Sequence, residues 1–485
     1  MGSGKVTSSE PFEFQGKHVT VAGLGVSGVP AAKVLHGLGA KVTVVNDGDD
    51  ARAREQAAGL EALGITVRLG DGTASDSGSA AGLPDGTELI VTAPGWKPDK
   101  PLFAAAEQAG VPVWGDVELA WRLRGPDAAP WLAVTGTNGK TTTVQMLASI
   151  LKAAGLRTAA VGNIGVSLLD AVLGDETYDV LAVELSSYQL HWAPSLRAHS
   201  AAVLNLAPDH LDWHGSMEAY ARDKGRIYEG NRIACVYNVA DKATEDLVRE
   251  ADVEEGCRAI GFTLGTPGPS QLGVVDDLLV DRAFVENRQK NAQELAQVSD
   301  VNPPAPHNIA NALAAAALAR AFGVPATAVR DGLRAFTPDA HRIAHVADVD
   351  GVAYVDDSKA TNTHAAQASL AAYEKIVWIA GGLAKGATFD ELVAKSAKRL
   401  RGAVLIGADR ALIREALARH APEVPVVDLE RTDTGAMLQA VQEAKRLARP
   451  GDTVLLAPAC ASMDMFANYN RRGEAFAEAV RDLGA

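Results

Sequence analysis

The stretch Val134-Thr135-Gly136-Thr137-Asn138-Gly139-Lys140-Thr141-Thr142-Thr143 follows the apolar run Trp131-Leu132-Ala133. A short β-branched run that enters a glycine turn and leaves toward a helical stretch is the seam of an α/β unit. The turn ends Gly-Lys-Thr, as a mononucleotide loop G-x-x-x-x-G-K-[ST] does. The opening glycine of that pattern would fall at position 134, where this chain has valine, and the nearest upstream glycine is Gly136. The turn is therefore tighter than the standard one. Successive N–H groups over Gly136, Thr137, Asn138, Gly139, Lys140 and Thr141 would face phosphate oxygens, with Lys140 neutralising charge, Thr141 placed to ligate Mg²⁺ and Thr142 counted with the loop in binding ATP. A bare glycine turn before an ordinary helix is the competing reading. Gly-Lys-Thr directly after an apolar strand favours ATP.

Outward from this seam, β-branched runs alternate with alanine-rich amphipathic stretches, which predicts α/β architecture with largely parallel sheets. "HVTVAGLGVSG" and "KVTVVND" lie upstream, "DVLAVE" and "SAAVLNL" follow, and "VAYVDD", "KIVWIAGG", "AVLIGA" and "TVLLAPA" close the chain. The 485 residues suffice for about three domains. Breaks near Pro126 and Pro338 divide them into a Rossmann-like domain at 15–126, a central ATP-binding domain at 127–337 and a C-terminal Rossmann-like domain at 338–485. The section from Gly261 to Pro306 reads as less regular, and a helix is expected from Asn308 to Phe322, stopped by Gly323. Hydrophobic residues at 47% and charged residues at 22% fit a soluble enzyme. A formal net charge of −14 argues against binding to nucleic acid or an anionic membrane. The start "MGSGKVTSSEPFEF" has no apolar core and fails the myristoylation pattern at Val6, so a cytoplasmic protein is expected. Cys235, Cys257 and Cys460 are widely spaced and read as free thiols.

The polar clusters fall just after strands, where open α/β sheets bind ligands. Gly23-Leu24-Gly25-Val26-Ser27-Gly28 matches G-x-G-x-x-G, and Asp47 follows the next strand, where an acid can accept hydrogen bonds from a ribose or base. NAD is one candidate ligand for such a turn, and an unliganded tight turn competes with it. Glu184 ends a strand and is a natural second Mg²⁺ ligand, against the plainer reading of a surface glutamate. "NLAPDHLDWHG" places Asp209, His210, Asp212 and His214 in one loop, rich enough in ligands to favour a metal site over loop capping. Zinc is not expected, since there is no H-E-x-x-H and no cysteine cluster. Lys224 reads from spacing as a solvated helix lysine. Asn308 and Asn311 share a helix face fit to read a base edge, with capping by Asn308 as the alternative. Lys359, Thr361, Lys385 and Ser462 are donors that would hold carboxylates, or ordinary turn residues.

Together, "TGTNGKTTT", "GNIG", "ELSSYQL", "DHLDWHGSMEAYARDK" and "HNIANAL" occur in an order that resembles the Mur ligases, over nearly the whole chain from Gly23 to Gly473. "GLGVSG", "DDSKATN" and "APACASMDMF" are similar to the branch that adds D-glutamate to UDP-N-acetylmuramoyl-L-alanine in peptidoglycan precursor synthesis. The resemblance implies an ATP- and Mg²⁺-dependent ligase working through an acyl phosphate, expected to be a monomer. It implies Lys140, Glu184, His210 and Lys224 as catalytic residues. Mg²⁺ would be held by Thr141, Glu184, His210 and a carbamylated Lys224. Asn308, Asn311, His341, Arg342 and Asp357 would join the loop in binding ATP. Gly25, Val26, Ser27, Asp47, Asn163, Ser186 and His210 would bind the UDP substrate, and Lys359, Thr361, Lys385, Ser462 and Tyr469 D-glutamate. Tyr469 departs from the phenylalanine expected there. A folylpolyglutamate-synthase-like ligase and a NAD-dependent oxidoreductase stay open as alternatives.

Overall fold

The computed structural model describes residues 12–70, 82–431 and 433–483. The terminal stretch read for a leader or acylation pattern lies mostly outside them, at residues 1–11. Three sheets are built from the expected runs. β1 (His18–Ala22), β2 (Lys41–Asn46), β3 (Thr66–Leu69), β4 (Leu89–Thr92) and β5 (Val113–Gly115) form the first, in order β3-β2-β1-β4-β5. All four of its pairings are parallel. β4 is buried throughout and β1 nearly so. Burial on both faces is what a Val/Ile/Ala run achieves once crossover helices cover a parallel sheet.

The second sheet holds β6 (Trp131–Thr135), β7 (Thr158–Gly162), β8 (Val180–Glu184), β9 (Ser200–Val203), β10 (Ala234–Asn238), β11 (Arg258–Phe262), β12 (Gln271–Val275), β13 (Leu278–Asp281) and β14 (Gln293–Gln297). Their order is β14-β13-β12-β11-β10-β9-β6-β8-β7, so β6 sits between β9 and β8 and all three deliver their C-terminal ends to one place. The section expected to be irregular thus extends the sheet. β12 and β13 pair antiparallel through a turn in which Asp276 has φ 53°. β12 is half-buried at three of its five positions, and β13, though mostly buried, is only four residues long, so neither shows the long unbroken apolar run that marks a buried strand.

The third sheet holds β15 (Ala344–Val349), β16 (Val352–Asp356), β17 (Ile376–Gly381), β18 (Leu400–Ile406), β19 (Val426–Asp428) and β20 (Thr453–Leu456), in order β15-β16-β20-β17-β18-β19. Only its edge pair β15–β16 is antiparallel. β15 has no buried apolar run to mark it in the sequence, since every residue of this edge strand is half-buried or exposed.

The chain divides into two compact units, residues 1–296 with 311–333, and residues 297–310 with 334–485. In the first unit one apolar core runs beneath both the first and second sheets. Trp121 and Trp131 meet edge to face at 5.0 Å across that junction, and the Gly115 N–H donates to the Trp192 carbonyl at 2.8 Å. In the second unit, apolar layers cover both faces of the third sheet. The buried Arg472 donates to Ser358 Oγ, the Ser358 carbonyl and the Cys460 carbonyl, which pins the last helix, Tyr469–Leu483, to the loop after β16.

The alanine-rich helix spans Pro306–Ala321, so Asn308 lies inside its first turn and is not its cap. Proline tolerates the first helical position because that N–H has no intrahelical partner. Gly323 follows with φ 93°. Among the described residues, no helix is long and apolar enough to cross a membrane.

Candidate active site

β6 ends at Thr135, and the helix Lys140–Ala153 begins five residues later. Two glycines make that turn possible. Gly136 has φ 153° and packs on Leu204; Gly139 has φ 85°, and a Cβ there would lie 2.4 Å from Asn311 Oδ1. The loop is held from β9. The Thr137 N–H donates to the Asn205 carbonyl at 3.0 Å, the Asn138 N–H to Asn205 Oδ1 at 2.9 Å, and Asn205 Nδ2 returns a bond to the Asn138 carbonyl at 3.0 Å. Thr137 Oγ1 meets Tyr220 OH at 2.9 Å. Neither Asn205 nor Tyr220 stands out in the sequence, although both sit inside the quoted motifs. An asparagine two residues past a strand end is the only local signal either offers.

The two lysines converge. Lys140 Nζ donates to the carbonyls of Gly136 at 2.9 Å and Thr137 at 3.0 Å. Lys224 Nζ donates to the same Gly136 carbonyl, also at 2.9 Å. Lys224 is not a solvated helix lysine: it is 2% exposed. Burial, then repulsion from Lys140, holds its ammonium well below the ordinary lysine range. Spacing could not show this, because Lys224 lies next to the last residue of a short helix, Met217–Gly225, whose inward face is set by packing.

Glu184 is 2% exposed at the end of β8. Its Oε1 accepts from Asn163 Nδ2 at 2.9 Å, while Oε2 has no hydrogen-bond partner among the described residues. The Asn163 N–H also donates to the Glu184 carbonyl at 3.0 Å, lacing the ends of β7 and β8 together. A buried carboxylate oxygen without a donor is costly unless a cation faces it.

The ligand-rich loop is partly helical, since Leu211–His214 forms one turn capped by His210 at φ 55°. A left-handed histidine is uncommon. It puts the His210 ring 4.9 Å from that of Tyr188, where burial, over the opposing pull of Asp209, lowers the imidazole pKa. His214 faces the other way. Its Nε2 bonds Ser187 Oγ at 2.9 Å and its Nδ1 bonds Asp223 Oδ2 at 2.9 Å. His191 Nδ1 reaches the same Asp223 oxygen at 2.9 Å. Burial pushes the Asp223 carboxyl up, but these hydrogen bonds outweigh it and hold it down at about 2. Ser186 caps the helix Ser187–His191 in a reciprocal bond with Gln189. Lys140, Glu184, His210 and Lys224 are thereby brought together at the end of β6, β8 and β9.

The glycine turn after β1 is built for close approach. Gly23 has φ 104°, and a Cβ on Gly28 would lie 1.9 Å from the Gly23 carbonyl. The Leu24 N–H donates to Asn46 Oδ1 at 3.1 Å, leaving Val26 85% exposed beside Gly25. Ser27 Oγ donates to Asp116 at 2.9 Å, and Asp47 pairs with Lys100 at 2.9 Å.

In the second unit, Asn308 Nδ2 donates to the Pro303 carbonyl at 3.3 Å. His341, at φ 64°, bonds Asp356 Oδ2 at 2.6 Å. Burial raises the neighbouring Asp357 carboxyl to about 6, against the hydrogen bond from Ser369 and the charge of Arg342. Lys359 Nζ lies 4.0 Å over the Tyr469 ring, and the Thr361 N–H donates to the Lys359 carbonyl at 2.8 Å. Lys385 has φ 49°; its loop is joined to that of Ser462 by the reciprocal backbone pair Leu383–Ala461, both bonds 2.9 Å.

Residues 134–319 match the Mur ligase middle domain, residues 341–460 the Mur ligase glutamate ligase domain, and residues 18–88 a pyridine nucleotide-disulphide oxidoreductase model. The chain is 88% identical to a UDP-N-acetylmuramoylalanine–D-glutamate ligase of Streptomyces coelicolor, over 98% of this chain and 100% of that one. It is 59% identical to the ligase of the same name from Thermobifida fusca, over 97% of this chain and 100% of that one. Among solved structures it is similar to the MurF ligase of Thermotoga maritima in complex with ADP, at a TM-score of 0.55 and 15% identity, over 96% of each chain. That likeness concerns the fold.

Proposed function

This chain belongs to the Mur ligase family, and from that membership we propose how its residues add D-glutamate to UDP-N-acetylmuramoyl-L-alanine at the expense of ATP in peptidoglycan precursor synthesis. Full-length identity to the D-glutamate-adding ligases carries the activity. It sets aside the folate-ligase and oxidoreductase alternatives. The match at residues 18–88 accounts for the nicotinamide reading, since a Rossmann-type turn serves any ligand bearing phosphates.

The substrate's terminal carboxylate attacks the γ-phosphorus of ATP and ADP leaves. The amine of D-glutamate then adds to the carbonyl of the acyl phosphate, and the tetrahedral intermediate expels phosphate. Such chemistry runs on positioning and charge neutralisation. The N–H groups of Thr137 and Asn138 are turned to Asn205, so those of Gly139, Lys140, Thr141 and Thr142 at the helix start would cradle the phosphates, and Lys140 would turn from the loop carbonyls toward the transferring group. Asn311 already touches Gly139, which supports a place for it near the nucleotide; Asn308, His341, Arg342 and Asp357 complete that assignment. Gly25, Val26, Ser27, Asp47, Asn163, Ser186 and His210 are assigned to the UDP substrate, and Lys359, Thr361, Lys385, Ser462 and Tyr469 to D-glutamate. The same reading divides the chain into domains at residues 126 and 337.

Mg²⁺ fits the donors present, because the Glu184 oxygen without a partner is a buried, hard, anionic ligand. Thr141 and Glu184 would hold one ion, and His210 with a carbamylated Lys224 another. Bound there, Mg²⁺ supplies charge neutralisation for phosphoryl oxygens. Carbamylation suits Lys224, since burial and the neighbouring Lys140 disfavour its ammonium, and the uncharged amine is the form that adds to CO₂. The resulting anion would replace repulsion from Lys140 with attraction. The decisive assay is phosphate release from ATP with UDP-N-acetylmuramoyl-L-alanine, comparing D-glutamate, L-lysine and diaminopimelate. Turnover with D-glutamate alone is expected; equal turnover with diaminopimelate would overturn the substrate assignment.

A further inference from the structure

Two of the three thiols, 22 positions apart in the chain, are neighbours in the second sheet. Parallel pairing sets Ala234 against Arg258 and Cys235 against Ala259, and Cys257 immediately precedes β11. Side chains two residues apart on an extended chain point to one face, so Cys257 falls on the face Cys235 occupies. Their sulfurs are 3.9 Å apart.

The two positions are unequal. Cys235 is buried, locked into a strand that pairs with β9 on one side and β11 on the other. Cys257 is half-buried and outside the regular ladder. Its N–H bonds the Glu254 carbonyl at 3.0 Å, closing a tight turn in which Gly256 has φ 91°. The Cys257 sulfur is therefore the reachable one, and the Cys235 sulfur waits behind it. That is the arrangement of a reacting and a resolving cysteine.

We propose that Cys235 and Cys257 form an oxidation-responsive dithiol that hydrogen peroxide converts to an intramolecular disulfide. The Cys257 thiolate attacks one peroxide oxygen and the O–O bond breaks. That oxygen stays on sulfur as a sulfenic acid, and the other takes up a proton and leaves as water. The Cys235 sulfur then attacks the sulfenic sulfur, the S–S bond forms, the S–O bond breaks and a second water departs. Two thiols are oxidised and one peroxide is reduced. A disulfide needs the sulfurs at about 2.05 Å, so roughly 2 Å of approach is required. The turn before Cys257 must provide it, because β10 is held on both sides.

The bond closes the segment that contains the helix Lys242–Glu250. Leu247 of that helix packs at Gly225, the residue after Lys224, where a Cβ would lie 3.0 Å from Leu247 Cδ2. Oxidation would thus staple the element that backs the Lys224 helix. The test is peptide mapping of the native full-length chain after mild hydrogen peroxide, alkylation and tryptic digestion without reductant. The expected product links residues 233–242 to residues 250–258, lighter by two hydrogen atoms than the two thiol peptides and lost on treatment with dithiothreitol. In Cys235→Ser, Cys257 should stop at a sulfenic acid trapped by dimedone; in Cys257→Ser, Cys235 should stay a thiol. Circular dichroism before and after oxidation establishes that the product forms in the folded chain. Oxidation of Cys257 to sulfinic or sulfonic acid without the linked peptide, or a link that appears only in denaturant, would overturn the proposal.

Discussion

At the scale of single residues, the site turns on one carbonyl. Lys140 and Lys224 both donate to Gly136, and the proposed mechanism asks only Lys140 to bring its positive charge to phosphoryl transfer. Lys140→Ala is expected to keep the fold and lose more than about 100-fold in kcat, as removal of an electrostatic stabiliser does. Near-normal turnover in a folded variant would reject the loop as the ATP site. Lys224→Ala should be nearly inactive and partly recovered by short carboxylic acids, which supply the oxygens a carbamate would. Full activity without added acid would end the carbamate reading. Gly139→Ala combines a left-handed backbone with a clash on Asn311, so it should raise the KM for ATP and lower thermal stability together. A silent Gly139→Ala would mean the loop is not held as described.

At the scale of elements, Asp223 ties the helix Ser187–His191, through His191, and the turn Leu211–His214, through His214, to its own helix Met217–Gly225. Those elements follow or carry Glu184, His210 and Lys224. The folded carboxyl sits at about 2, below the ordinary aspartate value of about 3.9. A depressed carboxylate contributes stability that is fully present above the unfolded pKa and is lost as pH falls through the folded one. The window is therefore about pH 4 down to about pH 2, with an effect on the order of 1–2 kcal/mol after allowance for screening. Asp223→Asn should remove that stabilisation at neutral pH and flatten this part of the acid-unfolding curve, measured by chemical denaturation at a series of pH values. An unchanged curve would show that the two histidines do not hold the charge.

At the scale of the whole molecule, the residues assigned to the UDP substrate and the phosphate loop lie in the first compact unit, and those assigned to D-glutamate in the second. Separable kinetic defects should follow. Charge-assisted hydrogen bonds are roughly twice as strong as neutral ones, so Lys385→Ala should matter more for capture than Ser462→Ala. Both should raise the KM for D-glutamate more than that for ATP. If both instead weaken only ATP or UDP-substrate use, the D-glutamate assignment falls.

By itself the amino-acid sequence determined the α/β class, the strands of the sheet centres and the phosphate loop. Each depends on chemistry local to a few residues, such as an apolar run, a glycine turn or Gly-Lys-Thr. The order of the motifs carried the family as well. Only the tertiary structure decided what depends on partners distant in the chain. Lys224 lost its solvent because Met217–Gly225 packs inward, and burial at the end of β8 left Glu184 with one oxygen on Asn163 and the other without a hydrogen-bond partner among the described residues. His214 left the ligand-rich loop for Asp223. Cys235 and Cys257 became neighbours through strand register. The short strands β12 and β13 and the edge strand β15 took shape through pairing, where no long apolar run exists to be read. Burial, charge and proximity are properties of which segments pack together, and a sequence pattern reports only what one segment prefers.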